Sequence, residues 1–209
     1  MTSGEIVDAS EGDVGSARSG EKSRRDILDA AARILRRRGY HATTLRTIAD
    51  AVGIKAGSIY YHFASKDEII AAVMNDGVDA VRRAVTEALA GLAATASLEE
   101  RLETAVRAHL HALLEFGDYT SAGLKAYSEA PEPVRDAARP HRLAYEAIWD
   151  RLAEEIVAAG ATGTGVSARS LKLALLGMMN WSPEWYRPDR HRVDDLAREF
   201  TALVLSRRG

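Results

Sequence analysis

The chain has 209 residues, no cysteine, five prolines and a net charge of −2, and 46% of it is hydrophobic. That is enough apolar material for a sizeable core in one large or two small domains. It excludes disulfides and thiol chemistry and fits a reducing cytoplasm, and no apolar run approaches the roughly 18 residues of a membrane span.

The charge is unevenly placed. Residues 1–21 carry −4, residues 22–66 carry ten Lys or Arg against three Asp, and the remainder carries −5. A basic module on an acidic body is the electrostatic footprint of a DNA binder. Scarce proline and abundant Leu, Ala, Arg and Glu favour an all-α fold of about nine helices. Three segments are expected: a disordered tail over 1–20, a helix-turn-helix module over 21–66, and a helical ligand-binding and dimerisation body over 67–209.

The tail is rich in Ser, Gly, Glu and Asp. It lacks the apolar surface to offset ordering, so it reads as mobile, and its polar, acidic start is not a secretory signal. Arg18 could reach a minor groove, but a solvated tail is the preferred reading. Ser23 to Arg38 forms the first helix, with Ile27, Leu28, Ala31, Ile34 and Leu35 as its stripe. Arg36, Arg37 and Arg38 crowd its end, favourable against the helix dipole, and Gly39 terminates it.

Thr43 to Lys66 reads as helix, turn, helix. Thr44 suits an N-cap. Leu45, Ile48, Ala49 and Val52 mark one buried face, and Gly53 suits a left-handed helix end. A second short helix over Ala56 to His62 turns Ile59 and Phe63 inward. Its outward side carries Lys55, Ala56, Gly57, Ser58, Tyr60 and Tyr61: a cation, small residues that permit close approach, and phenols, as a major-groove reader requires.

On Thr44, Ile48-Ala49, Gly53-Ile54, Gly57, Tyr60, His62-Phe63, Lys66 and Glu68, the stretch resembles the DNA-binding domain of TetR-family transcriptional repressors. The resemblance covers about a quarter of the chain, Ser23 to Ile70. One departure is Lys55, where the family usually has a Ser or Thr that caps the reading helix. The resemblance implies a homodimer on a palindromic operator, a small-molecule inducer and repression by promoter occlusion. Thr44, Tyr61 and Lys66 are expected on phosphates and Arg46, Lys55, Gly57 and Tyr60 on bases, with Ala56 and His62 completing the DNA-binding face.

Ser65 to Glu68 is a capping box. It opens a long helix carrying Ile69, Ile70, Val73, Val81, Val85 and Leu89 to about Gly91, with Gly77 a weak point inside. Ser97 to about Phe116 is the next helix. His109 and His111 lie on different faces, and His111 with Glu115 reads as a surface pair rather than a metal site. A short helix ends at Pro131/Pro133. A long one follows over Val134 to Ala159, bent at Pro140. Gly160 to Gly165 is a linker, because no strand precedes it and no Lys-Ser/Thr follows.

Ser167 to Trp181 is apolar nearly all round and Pro183 is expected to stop it. Arg190 to Ser206 is amphipathic. These last two helices are the expected dimer interface, through Leu171, Leu175, Met178, Val193, Leu196, Phe200 and Leu203. The inducer is expected between Tyr145, Trp149 and Met178 on one side and Trp181, Trp185 and Arg187 on the other. The local ending Trp185-Tyr186-Arg187-Pro188 looks like that of TetR-family regulators of lipid and sterol breakdown, which points to an acyl-CoA or fatty acid. No catalytic motif, metal-ligand spacing or cofactor fingerprint stands out. The rival readings are an architectural DNA binder without effector and a regulator of drug efflux.

Overall fold

The computed structural model describes residues 11–115, 117–163 and 165–205. Among these the fold is all-α. Eight α-helices run in order: α1 (Glu11–Ala42), α2 (Leu45–Val52), α3 (Lys66–Ala90), α4 (Leu98–Leu114), α5 (Asp118–Glu129), α6 (Glu132–Ala158), α7 (Ala168–Trp185) and α8 (Val193–Val204). A 3-10 helix, Ala56–Tyr61, stands between α2 and α3. None is long and apolar enough to cross a membrane.

Helix α1 begins well before Ser23 and holds residues 11–20 in helical backbone, while residues 1–10 of the expected tail lie outside the described residues. Its regular course breaks at Gly39 (φ 78°, ψ −178°). A side chain there would also collide with Glu129, whose carboxylate lies 2.6 Å from where a Cβ would sit.

Gly77 is no weak point. It is buried in α3, and a Cβ on it would lie 2.6 Å from the Tyr119 carbonyl. It is the notch that lets the start of α5 sit against α3. Pro183 does not stop α7, which runs on to Trp185. Proline cannot donate to the carbonyl four residues back, and here the Ser182 hydroxyl donates to that carbonyl, Met179 O, at 2.6 Å instead.

The apolar interior falls into two clusters. One joins α1, α2, the 3-10 helix and the first half of α3 to Ala122 and Ala126 of α5, Ala130 just after it, and Val134 and Ala138 of α6. The other joins Val81 and Val85 of α3 to α4, the rest of α6, α7 and α8. Helix α1 packs most extensively against α5. The DNA-module core therefore extends past residue 66 and takes in α5.

Candidate DNA-binding face and effector cavity

The helix-turn-helix is built by local chemistry. The Thr44 hydroxyl accepts from the Thr47 amide at 3.1 Å and Thr47 returns the bond to the Thr44 amide, capping α2 at both positions. Gly53 closes α2 in the left-handed region (φ 78°, ψ 30°). Ile59 and Phe63 are buried. Lys55 precedes the reading helix without a side-chain cap. That helix is 3-10 rather than α, held by bonds three residues apart such as Ser58 N–H to Lys55 O, 2.9 Å.

Burying Ile59 and Phe63 leaves Tyr60 61% and Tyr61 88% exposed. Thr44, Arg46, Lys55, Ala56 and Gly57 are exposed beside them. His62 and Lys66 are half-buried. Lys66 is also engaged within the chain: its ammonium donates to the Tyr40 carbonyl at 3.1 Å and lies 3.7 Å from that ring's centre.

Tyr40 ties the module together. Its hydroxyl donates to Asp67 at 2.6 Å and its amide to Glu129 of α5 at 2.8 Å. Burial, then the bond to Asp67, pushes the phenol up to about 12. Two further bonds join α1 to α5: Arg36 pairs with Asp118 at 2.7 Å, and the Tyr119 hydroxyl donates to Asp29 at 2.6 Å. Burial and that carboxylate raise the Tyr119 phenol well above its ordinary value. Both ends of α5 are thus fastened to α1.

Behind α5 lies a cavity of about 420 Å³, inside the usual range of about 300–1,000 Å³ for small-molecule sites. Five helices line it: α3 with Met74, Gly77, Val78 and Val81; α4 with His109 and Leu113; α5 with Thr120, Gly123, Leu124 and Tyr127; α6 with Ala138, Arg142, Tyr145 and Glu146; α7 with Leu173, Leu176, Gly177 and Asn180. It opens where the two apolar clusters meet, since Met74 and Ala138 belong to one and Val81 and Tyr145 to the other.

Its wall is mainly apolar with few polar groups. Arg142 pairs with Glu146 and lies over the Tyr127 ring, and Lys172 reaches Glu146 at 3.3 Å and Asp150 at 2.8 Å. Deeper, His109 and Tyr145 are hydrogen-bonded through Nδ1 and the phenol. Burial holds the imidazole down to about 4, so it is neutral at physiological pH, and raises the phenol far above its ordinary value.

The expected ligand residues scatter. Tyr145 lines the cavity. Trp149 is fully buried behind it, edge-on to both Tyr145 and His109. Trp185 packs on Phe200 and His191. Arg187 is exposed and donates to the Tyr186 carbonyl. Met178 packs against the second cluster rather than the cavity. Trp181, 66% exposed, borders a second cleft with Arg36 and Lys125, which shares Leu124, Gly177 and Asn180 with the cavity. The turn after α7 gathers aromatics, but α8 packs over them.

The expected dimer residues Leu171, Leu175, Val193, Leu196 and Phe200 are buried in the chain's own second cluster. A stripe apolar enough for an interface is equally suited to the core, and here α4 and α6 cover it. Leu203 is 74% exposed, and Ala174 and Gly177 are exposed on α7. The sequence reading missed His109 as a cavity residue. It stands in helical register with Leu102, Val106 and Leu113 of α4, the one available signal that its ring faces inward. His111 pairs with Glu115 at 2.6 Å on the outside of the same helix, as the spacing predicts.

Known proteins match along most of the length. Residues 27–73 match the family described as bacterial regulatory proteins, tetR family, and residues 95–207 the tetracyclin repressor-like C-terminal domain. The transcriptional repressor KstR2 of Rhodococcus jostii (strain RHA1) is 29% identical over 199 residues, 90% of this chain and 92% of that one. The transcriptional activator FasR of Mycolicibacterium smegmatis is 30% identical over 188 residues, 87% of this chain and 80% of its own. Among solved structures, AibR in complex with isovaleryl coenzyme A and operator DNA superposes with a TM-score of 0.75 at 22% identity, covering 87% of this chain and 97% of that one.

Proposed function

Because the chain belongs to the TetR family of bacterial transcriptional regulators, we propose that it is a dimeric repressor released from operator DNA by an apolar effector, an acyl-CoA or a related lipid. The family is one of DNA-binding regulators, not enzymes. Arg46, Lys55, Gly57 and Tyr60 face bases, and Thr44, Tyr61 and Lys66 face phosphates, with Ala56 and His62 alongside.

The observation that carries the effector reading is the cavity itself. An architectural binder needs no hollow behind α5, the helix fastened at both ends to α1. A ligand that fits only when α5 shifts would move α1 and the reading helix with it, which is the differential contact an allosteric effector requires. AibR's complex with an acyl-CoA and operator DNA supports the class. An acyl-CoA headgroup leaving the cavity past Leu124 would meet Arg36 and Lys125 beside Glu129 and Glu184 in the neighbouring cleft.

The dimer uses the outward faces of α7 and α8, through Ala174, Met178 and Leu203, rather than the stripe buried beneath them. Ala174→Glu with Leu203→Glu should give a folded monomer with much weaker operator affinity, because the linked second half-site is lost. A wild-type monomer in sedimentation at micromolar concentration would refute the dimer. Acyl-CoAs, free fatty acids and planar cationic drugs titrated against labelled operator test the effector. Release by acyl-CoA or fatty acid is expected; release by the drugs alone would overturn the lipid assignment and favour an efflux regulator.

A further inference from the structure

His109 is 2% exposed and lines the cavity on α4, and Tyr145 is 7% exposed and lines it on α6. The two are bonded through Nδ1 and the phenol, while Nε2 of His109 is buried without a hydrogen-bond partner. A buried nitrogen left without a partner is destabilising. Trp149 closes off the far side of both rings, and its Nε1 and the Nε of Arg142 are likewise buried without partners.

Proton counting shows what the pair offers. A neutral imidazole carries one N–H and the phenol one O–H, and their mutual bond consumes one of the two. If the phenol donates to Nδ1, the free donor is Nε2–H. If Nδ1–H donates to the phenol, the free donor is the phenol O–H. In either tautomer one hydrogen is left over, and the Asn180 side chain beside His109 is the protein group that competes with a ligand for it. Burial holds the imidazole neutral, so no second N–H appears at physiological pH. The nearby charges on the wall, Arg142 and Glu146, pair with each other, and Lys172 also reaches Glu146.

Resting on the effector reading above, we propose that His109 and Tyr145 recognise one carbonyl oxygen buried within the apolar part of the effector. The ligand class is therefore an apolar skeleton bearing a carbonyl at cavity depth, rather than a plain hydrocarbon tail. Two sources supply that oxygen: the thioester carbonyl of an acyl-CoA, or a ketone on the skeleton itself. Asn180, beside His109 on the same wall, positions the oxygen from the α7 side.

The test uses the full-length protein without DNA, by calorimetry. Three pairs of probes differ only in the oxygen: octanoyl-CoA against its S-octyl thioether, a ketosteroid against its deoxo analogue, and cyclohexyl methyl ketone against ethylcyclohexane. The carbonyl member of at least one pair should bind about ten to a hundred times more tightly. Preference in the first pair alone assigns the thioester, and preference in the second assigns the skeletal ketone. His109→Leu with Tyr145→Phe replaces both partners by apolar groups, a change that can be nearly neutral for stability. It should erase the preference while still binding the oxygen-free member. Tyr145→Phe alone is the milder control if the double variant fails to fold, and it should shrink the preference. Equal binding within all three pairs, or a preference that survives in the folded variant, overturns the proposal. Operator release without carbonyl preference sinks this pair alone, whereas carbonyl preference without operator release sinks the effector reading alone.

Discussion

The DNA-binding face and the effector cavity are built on opposite plans. The face is convex and exposed, and comes from one run of about twenty consecutive residues whose caps and turn are all local. The cavity is concave and mainly apolar, and takes its wall from five helices spread from Met74 to Asn180. Helices α3 and α5 reach both: α3 through Asp67 at one end and Val78 at the other, α5 through Glu129 outside and Thr120 and Leu124 inside, while α6 adds Ala138, shared by the module core and the cavity. Neither surface is useful to a switch alone. The difference locates the coupling in a few polar bonds along α1 and α5, and predicts that each region can be damaged without the other.

The largest effect is expected in the cavity and should leave the face untouched. His109 has a folded value of about 4 against an ordinary 6.5. Between those values the unfolded chain holds a proton that the folded chain lacks. Stability is therefore fully present above about pH 6.5 and is lost as pH falls towards 4. The shift corresponds to about 3 kcal/mol. Urea unfolding of wild type and of His109→Leu/Tyr145→Phe across that window should show the wild type losing this much more stability, because Arg142, Glu146 and the other titrating groups are common to both. Parallel curves would mean that His109 is not held neutral.

The next largest effect lies on the bond between the regions. Glu129→Ala removes the acceptor of the Tyr40 amide, an exposed carboxylate meeting a half-buried donor, so the cost in stability is about 1 kcal/mol. Its mark should be functional. Effector should bind the cavity with unchanged affinity, while the effector concentration that releases operator rises or the release becomes partial. Glu129→Gln, which keeps an acceptor, should behave much closer to wild type. If both variants release operator as wild type does, the contact is packing and the coupling runs through Arg36–Asp118 and Tyr119–Asp29 instead.

How far each region was legible in the residues follows from the same contrast. Thr44, Gly53, Ile59, Phe63 and Ser65 act within one turn of themselves, so spacing alone places them, and the outward side follows by subtraction. Tyr145 was legible as a cavity residue only because it is aromatic on a long helix. Its partner His109 lies 36 residues away on another helix, and no local pattern announces that meeting. Leu171, Leu175 and Phe200 show the limit of hydrophobic periodicity: it marks a face as apolar without saying whether neighbouring helices or a second subunit covers it. Pro183 was misread because the hydroxyl of Ser182 takes over the lost backbone bond, a substitution visible only in three dimensions.

The smallest effects separate two kinds of contact on the DNA face itself. Lys66 serves the fold, donating to the Tyr40 carbonyl and lying over its ring, yet an ammonium has three donors, and its half-buried position at the start of α3 leaves one for a phosphate. Lys66→Met should cost about 1 kcal/mol of stability from the lost cation–ring contact. It should also weaken binding to every operator variant alike and reduce the salt slope by about one. Tyr61 is 88% exposed and supports nothing beneath it. Tyr61→Phe should leave stability unchanged and lower operator affinity by only about 0.5–1.5 kcal/mol, with no change in salt slope because a neutral phenol releases no counterion. Unfolding curves and filter binding at several salt concentrations distinguish the two. An unchanged salt slope for Lys66→Met would make Lys66 wholly structural, a brace for Tyr40 at the junction with α5 rather than a phosphate contact.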